Sequence, residues 1–302
     1  MIKYKLYIFD IFKFILNLIE KEDTMKSSCF IRRSGLVISL SILSFGLFAQ
    51  GQRNSPGYVP HIGQDGKDVI WVPTPNELVN KMLEIAHVTE KDYVIDLGSG
   101  DGRTVIAAAK LGAKARGIEY NPDMVELSKK NAKEAGLSGK TEFLQADLFE
   151  CDLSEATVIT MFLLPDINMK LRPRLLDLKP GTRIVSNTFT MGSWSPDIEA
   201  TTDENWNSWN SALMWIIPSK VEGTWTLIPG ELTINQEFQM IYGTYKSDDK
   251  ISKITDGRME GDKITFRIDG YVYTGRVNEN NSMQGTVTNG TDKSDWIATR
   301  AK

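Results

Sequence analysis

Between residues 76 and 189 the apolar positions change period repeatedly, and each change predicts an element. Leu78, Val79, Met82, Leu83 and Ile85 recur at helical spacing, which predicts a helix over 76–85 with Asn76 placed to cap it. Residues 93–97, Tyr-Val-Ile-Asp-Leu, predict a short apolar strand running into a glycine-rich loop. Further strands are expected over 115–119, 141–146, 156–163 and 182–189. Helices are expected over 104–111, over 122–135 with Gly136 as the stop, and over 167–178 despite Pro173, the last with Asp166 as its cap. This alternation predicts an α/β domain, a Rossmann-like parallel sheet with helices on both faces.

From about Val221 helical periodicity ends. Alternating runs over 232–245, 264–268, 271–277, 283–287 and 296–298 are punctuated by Asp256-Gly257, Gly261-Asp262, Asp269-Gly270 and Asn289-Gly290. They predict a C-terminal all-β domain, a meander or small barrel, over 221–302, after a nucleotide domain over 53–220. Trp296 and Arg300 are read as closing that barrel. Trp194, Trp206, Trp209, Trp215 and Trp225 form an aromatic-rich stretch assigned to packing between the two parts.

Residues 1–52 are read as leader rather than fold. From Met25, the basic residues Lys26, Arg32 and Arg33 precede an uncharged apolar run over 34–48, and Ala49-Gln50-Gly51 offers small residues for cleavage. The run falls short of the roughly 20 residues needed to span a bilayer. The expectation is translation from Met25, with an amphipathic leader over 1–24 as the alternative, and export to the periplasm or medium, with membrane association only through an uncleaved leader.

The formal net charge is −4, without the basic excess of a nucleic-acid-binding face, so no nucleic-acid partner is expected. Two cysteines and two histidines in 302 residues give no Cys/His zinc site, and no metal is expected. Candidate chemistry centres on Asp96-Leu97-Gly98-Ser99-Gly100-Asp101-Gly102. Glycines at alternate positions let the chain turn sharply from strand to helix while a ligand approaches the backbone. A dinucleotide fingerprint would place glycine where Arg103 stands, and a P-loop would require Gly-Lys-Ser/Thr. A carboxylate at the strand end, Asp96, would repel a pyrophosphate but suits the ammonium of an amino-acid tail. S-adenosylmethionine (SAM) has such a tail and a sulfonium cation.

Over about residues 73–194 the chain resembles the class I SAM-dependent methyltransferases. The resemblance implies that Gly98, Ser99, Gly100, Asp101 and Gly102 wrap the methionine moiety and that Glu119, with Asn121 after it, meets the ribose. It also implies that Asp147 faces the adenine amine, with Leu148 against the ring. Val72-Pro73-Thr74-Pro75, Phe162-Leu163-Leu164-Pro165 and the Asp-Gly-Arg ending of the loop are similar to a bacterial exported group. That group in turn resembles the mitochondrial lysine methyltransferases of the ATP synthase c subunit and the adenine nucleotide translocase. By that resemblance the acceptor is a protein lysine.

Methyl transfer from a sulfonium needs mainly an in-line approach of about 3 Å, and no catalytic side chain is assigned. Phe162, Leu163, Leu164 and Pro165 are the candidate acceptor slot, with a core role for Phe162 to Leu164 equally open. Trp71, Pro73, Thr74 and Pro75 are read as a lid over the cofactor or a rigid linker into the first helix. The Asn/Asp-Pro-Pro-Tyr signature that cradles an amide or base nitrogen is absent. Two other accounts stand beside the protein-lysine enzyme: an exported binding or structural protein that keeps the fold without turnover, and a small-molecule methyltransferase.

Overall fold

A computed structural model describes residues 58–203 and 209–301. The segment expected to be a leader, the expected cleavage site and Trp206 lie outside the described residues. Residues 58–65 and 70–72 form a small unit of their own. Within it, Gln64 Nε2 donates to the Tyr58 hydroxyl (2.7 Å), and Trp71 N donates to Gln64 O (2.9 Å).

The larger unit begins with α1 (Asn76–Ile85), which buries Leu78, Val79, Met82 and Leu83 as their spacing predicts. Its cap corrects the sequence reading: Pro75 is the N-cap, no side chain caps the helix, and Asn76 is already its first residue. There follow β1 (Tyr93–Leu97), α2 (Arg103–Lys110), β2 (Lys114–Glu119), α3 (Pro122–Glu134), β3 (Thr141–Gln145), β4 (Val158–Met161), α4 (Pro165–Leu175) and β5 (Arg183–Asn187). Leu164 is the N-cap of α4, so Asp166 lies in the first turn, where a carboxylate favours the helix dipole without capping it.

Strand order in the sheet is β3-β2-β1-β4-β5-β7-β6. The first five strands are parallel, and chain order reverses between β1 and β4, the place where open α/β sheets bind ligands. The last two, β6 (Ile198–Thr201) and β7 (Ser211–Ile216), are antiparallel additions that the sequence pattern did not reveal. Alternation along the central strands feeds two cores. Val94, Val158 and Val185 pack with α1, α2 and α3 on one face; Ile95, Ile159 and Ile184 pack with Leu171 and Leu175 of α4 on the other.

The C-terminal strands are β8 (Gly223–Leu227), β9 (Gly230–Glu237), β10 (Met240–Ser247), β11 (Lys250–Glu260), β12 (Lys263–Ile268), β13 (Tyr271–Asn278), β14 (Ser282–Asn289) and β15 (Asp292–Arg300). They form a closed antiparallel barrel in which each strand pairs with its neighbours in sequence and β15 returns to β8. Trp225, Ile234, Phe266, Met283 and Trp296 belong to its buried core. At the seam, the Arg300 guanidinium lies 4.4 Å from the Trp225 ring centroid and donates to Glu222 O. The single run expected over 232–245 is a hairpin, β9 and β10, turning at Phe238. Asp256-Gly257, read as a turn, is a bulge inside β11.

Sheet and barrel are fastened by polar contacts as well as apolar ones. Trp194 is fully buried, stacks on Phe238 (5.6 Å between centroids) and donates its indole N–H to Gln239 Oε1 (2.8 Å). Arg258 of β11 pairs with the buried carboxylate of Asp197 (2.5 Å).

Candidate functional site

The loop after β1 is held from several sides. Gly98 N and Ser99 N both donate to Ile118 O of β2 (2.9 and 3.0 Å), so β1 and β2 stay joined past their ends. Gly98, Gly100 and Gly102 have φ of 75°, 53° and 82°, the left-handed region that disfavours side chains. At Gly102 space is decisive as well: a Cβ there would lie 2.8 Å from Phe143 Cε1. Ser128 of α3 donates to Gly100 O (2.8 Å), and Asn131 donates to Asp101 O (2.9 Å).

The three acidic strand tips are all at this edge, each in a different setting. Asp96 is buried at the base of the loop and accepts from Thr160 Oγ1 (2.6 Å), its register partner on β4. Burial, with Glu119 and Asp101 nearby, pushes its carboxyl up to about 7 against the hydrogen bonds from Thr160 and Thr104. Glu119 is braced: Oε2 accepts from Gly100 N and Oε1 from Asn121 N, both at 2.9 Å. Asn121 in turn caps α3 by accepting from Asp123 N (2.9 Å). Asp147 accepts from Phe149 N (2.9 Å) and pairs with Lys67, and these contacts hold its carboxyl below the usual range. Lys67 also lies 5.0 Å from the centroid of the Tyr120 ring, so a segment before α1 reaches the tips of β2 and β3. Leu148 packs at the margin of the α4-side core.

Several residues that sequence reasoning missed complete the site. Arg174 of α4 donates to Leu148 O (3.2 Å), Phe149 O and Cys151 O (2.5 Å), fixing the turn that presents Asp147. Arg103 clasps Asp101 and donates to Thr74 O (2.9 Å), while Thr74 Oγ1 accepts from Asn187 Nδ2 (3.3 Å). These contacts place Thr74 at the sheet edge, between the glycine loop and the end of β5. Thr160 alone had a legible signal, since pairing the two apolar runs in parallel puts it opposite Asp96.

The candidate acceptor residues separate. Leu163 is in the core, 3.2 Å from where a Gly98 Cβ would stand; Leu164 caps α4 and Pro165 opens it. Half-buried Phe162 stacks on Phe189 (5.8 Å) and meets Trp209 edge-on (5.7 Å).

The chain is similar to known methyltransferases. The model of the ANTKMT methyltransferase domain matches residues 96–198. A protein-lysine N-methyltransferase of Saccharolobus islandicus is 45% identical over 142 residues, covering 46% of this chain and 84% of the archaeal protein. The mouse lysine N-methyltransferase of the ATP synthase c subunit is 34% identical over 42% of this chain, which spans 51% of the mouse protein. A solved structure from Salinibacter ruber, described as an RNA methyltransferase in complex with S-adenosyl-L-homocysteine, is 51% identical. It covers 50% of this chain and 96% of its own, with a TM-score of 0.47. Carrying the glycine loop, its carboxylates and most of the length of an archaeal relative, the chain belongs to the ANTKMT methyltransferase domain family of class I SAM-dependent methyltransferases.

Proposed function

We propose that this methyltransferase acts on the Nζ of a lysine in a protein, binding SAM along the β1, β2 and β3 tips. The observation that carries the cofactor's placement is Asp96: among the described residues it is a buried acid at the base of the glycine loop with no cation beside it. A ligand with an ammonium answers it, so the residues fit the methionine end of SAM. In this reading Gly98 to Gly102 follow the methionine chain, Glu119 and Asn121 meet the ribose, and Asp147 with Leu148 takes the adenine.

SAM supplies a methyl group already activated on sulfur. What remains for the chain is to orient the acceptor and exclude water. The acceptor amine must first release its proton to solvent; its lone pair then forms the N–C bond as the C–S bond breaks, leaving a neutral thioether. The apolar residues Phe162, Phe189 and Trp209 favour the neutral amine, because desolvation disfavours an ammonium. The protein-lysine relatives support this acceptor, as does the absence of an amide-cradling signature after β4.

Incubation of the full chain with methyl-labelled SAM and poly-L-lysine, with polyarginine as control, tests the reading. Label on polylysine, retained after the protein is removed, is expected. Label confined to small solutes of a membrane extract would place the acceptor among small molecules instead. The signal-like segment after Met25 supports export of the mature chain, which N-terminal sequencing from fractionated cells would test.

A further inference from the structure

Three adjacent strands deliver aromatic rings to the same stretch of the sheet's carboxyl edge. Phe162 follows β4, Phe189 follows β5, and Trp209 precedes β7, which runs antiparallel to β5, with Thr188 N donating to Ser211 O (2.7 Å). Centroid separations of 5.7, 5.8 and 6.5 Å put the rings in mutual contact, so they form one apolar wall rather than a cage around a ligand. The wall stands beside the glycine loop, because Leu163, next to Phe162, packs against Gly98.

Two further observations mark this place as more than core. Thr188, a β-branched residue, holds φ at 57°, a conformation that β-branched residues rarely adopt and that persists mainly at functional positions. On either side of the strand exit are buried amides with unsatisfied oxygens. Asn187 at the end of β5 uses Nδ2 on Thr74, and Asn168 of α4 uses Nδ2 on Phe189 O (3.2 Å). Oδ1 of each lacks a donor among the described residues. A buried amide oxygen left unpaired costs about 1–3 kcal/mol, which an incoming N–H would recover.

We propose that the exit of β5 is the seat of the acceptor side chain. Phe162, Phe189 and Trp209 pack along the aliphatic stem of a lysine, and Asn187 Oδ1 accepts a hydrogen bond from its amine. This assignment rests on the protein-lysine reading and adds the residues that select the acceptor. Asn187 also ties the acceptor to the cofactor side, since its partner Thr74 is held by Arg103 of the glycine loop.

Binding in the absence of turnover tests the seat separately from the activity. The full chain, labelled with 5-fluorotryptophan and saturated with S-adenosyl-L-homocysteine, is titrated with N-acetyl-lysine methylamide or N-acetyl-norleucine methylamide. Fluorine NMR reports on each tryptophan, and Trp209→Phe assigns the Trp209 resonance among the seven tryptophans. The lysine probe is expected to shift that resonance saturably, the norleucine probe about tenfold more weakly. Asn187→Ala should erase the difference. Phe162→Leu, which keeps apolar volume, should weaken both probes and serves where Asn187→Ala does not fold. A Trp209 resonance unmoved by either probe, or an unchanged lysine preference in Asn187→Ala, overturns the seat. Labelled polylysine together with a silent Trp209 resonance would leave the lysine activity standing and remove this site for it.

Discussion

Arg103 and Asp101, two residues apart at the mouth of α2, are joined by a fork. Arg103 Nε lies 3.0 Å from Asp101 Oδ1 and Nη2 lies 2.7 Å from Oδ2, while Nη1 reaches Thr74 O at 2.9 Å. The Asp-Gly-Arg ending of the loop is therefore a clamp between the glycine loop and the segment before α1. A planar guanidinium can make all three bonds at once; an ammonium cannot.

Arg103→Lys should accordingly keep the fold and lose alignment. SAM affinity is expected to fall about tenfold by isothermal titration, with the melting temperature changed by a few degrees at most. Equal affinity in the variant would show that the clamp does not position the loop.

Asp96 makes binding and stability respond to pH in opposite senses. Its carboxyl is raised from 3.8 to about 7, so the folded chain holds a proton that the unfolded chain has lost. Stability from this group therefore falls as pH rises from about 4 to about 7, and ionised Asp96 is a net cost above that. Asp96→Asn should melt higher than wild type at about pH 8 in the absence of ligand, with the gap narrowing toward about pH 5. Affinity for SAM behaves otherwise, because the ammonium needs the carboxylate. Wild-type affinity should rise roughly fivefold between about pH 6 and pH 7, whereas Asp96→Asn should bind weakly with a flat profile. A flat profile in wild type would place the ammonium elsewhere.

These two residues also show where the sequence could and could not be read. The loop was legible because three glycines at alternate positions have few other uses, and Asp96, Glu119 and Asp147 lie at or just beyond the carboxyl ends of β1, β2 and β3. The settings of those carboxylates were not legible, because Thr160, Arg174 and Lys67 reach them from distant parts of the chain. In the barrel, the β9–β10 turn was hidden because Phe238, rather than glycine or asparagine, takes φ of 54°. The bulge at Asp256 looked like a turn because its residues suit either structure. Strands β6 and β7 escaped notice because β6 is short and mostly exposed, while β7 is too uniformly buried to alternate.

Lys67 occupies Asp147 Oδ2, and Phe149 N occupies Oδ1, so in the proposed binding mode adenine would compete with Lys67 for Oδ2. The pair is partly exposed, so releasing it is worth little, on the order of a fivefold change in affinity. Lys67→Ala should bind adenosine and SAM up to about fivefold more tightly, an effect that shrinks as salt is added. Weaker adenosine binding in the variant would show that Lys67 supports the nucleoside instead of competing with it.

The barrel is tied to the sheet through Gln239, whose Oε1 accepts from the Trp194 indole and whose Nε2 donates to Ser195 O (2.9 Å). Trp215 donates in turn to Trp194 O (2.9 Å), so the chain of bonds runs from the barrel into β7. Gln239→Ala leaves a fully buried indole N–H without its acceptor, a loss of about 1–3 kcal/mol. Because that bond belongs to both parts, wild type should unfold in one calorimetric transition, and Gln239→Ala should lower that transition or split it into two. A wild-type protein that already melts in two steps would mean the junction transmits no stability between sheet and barrel.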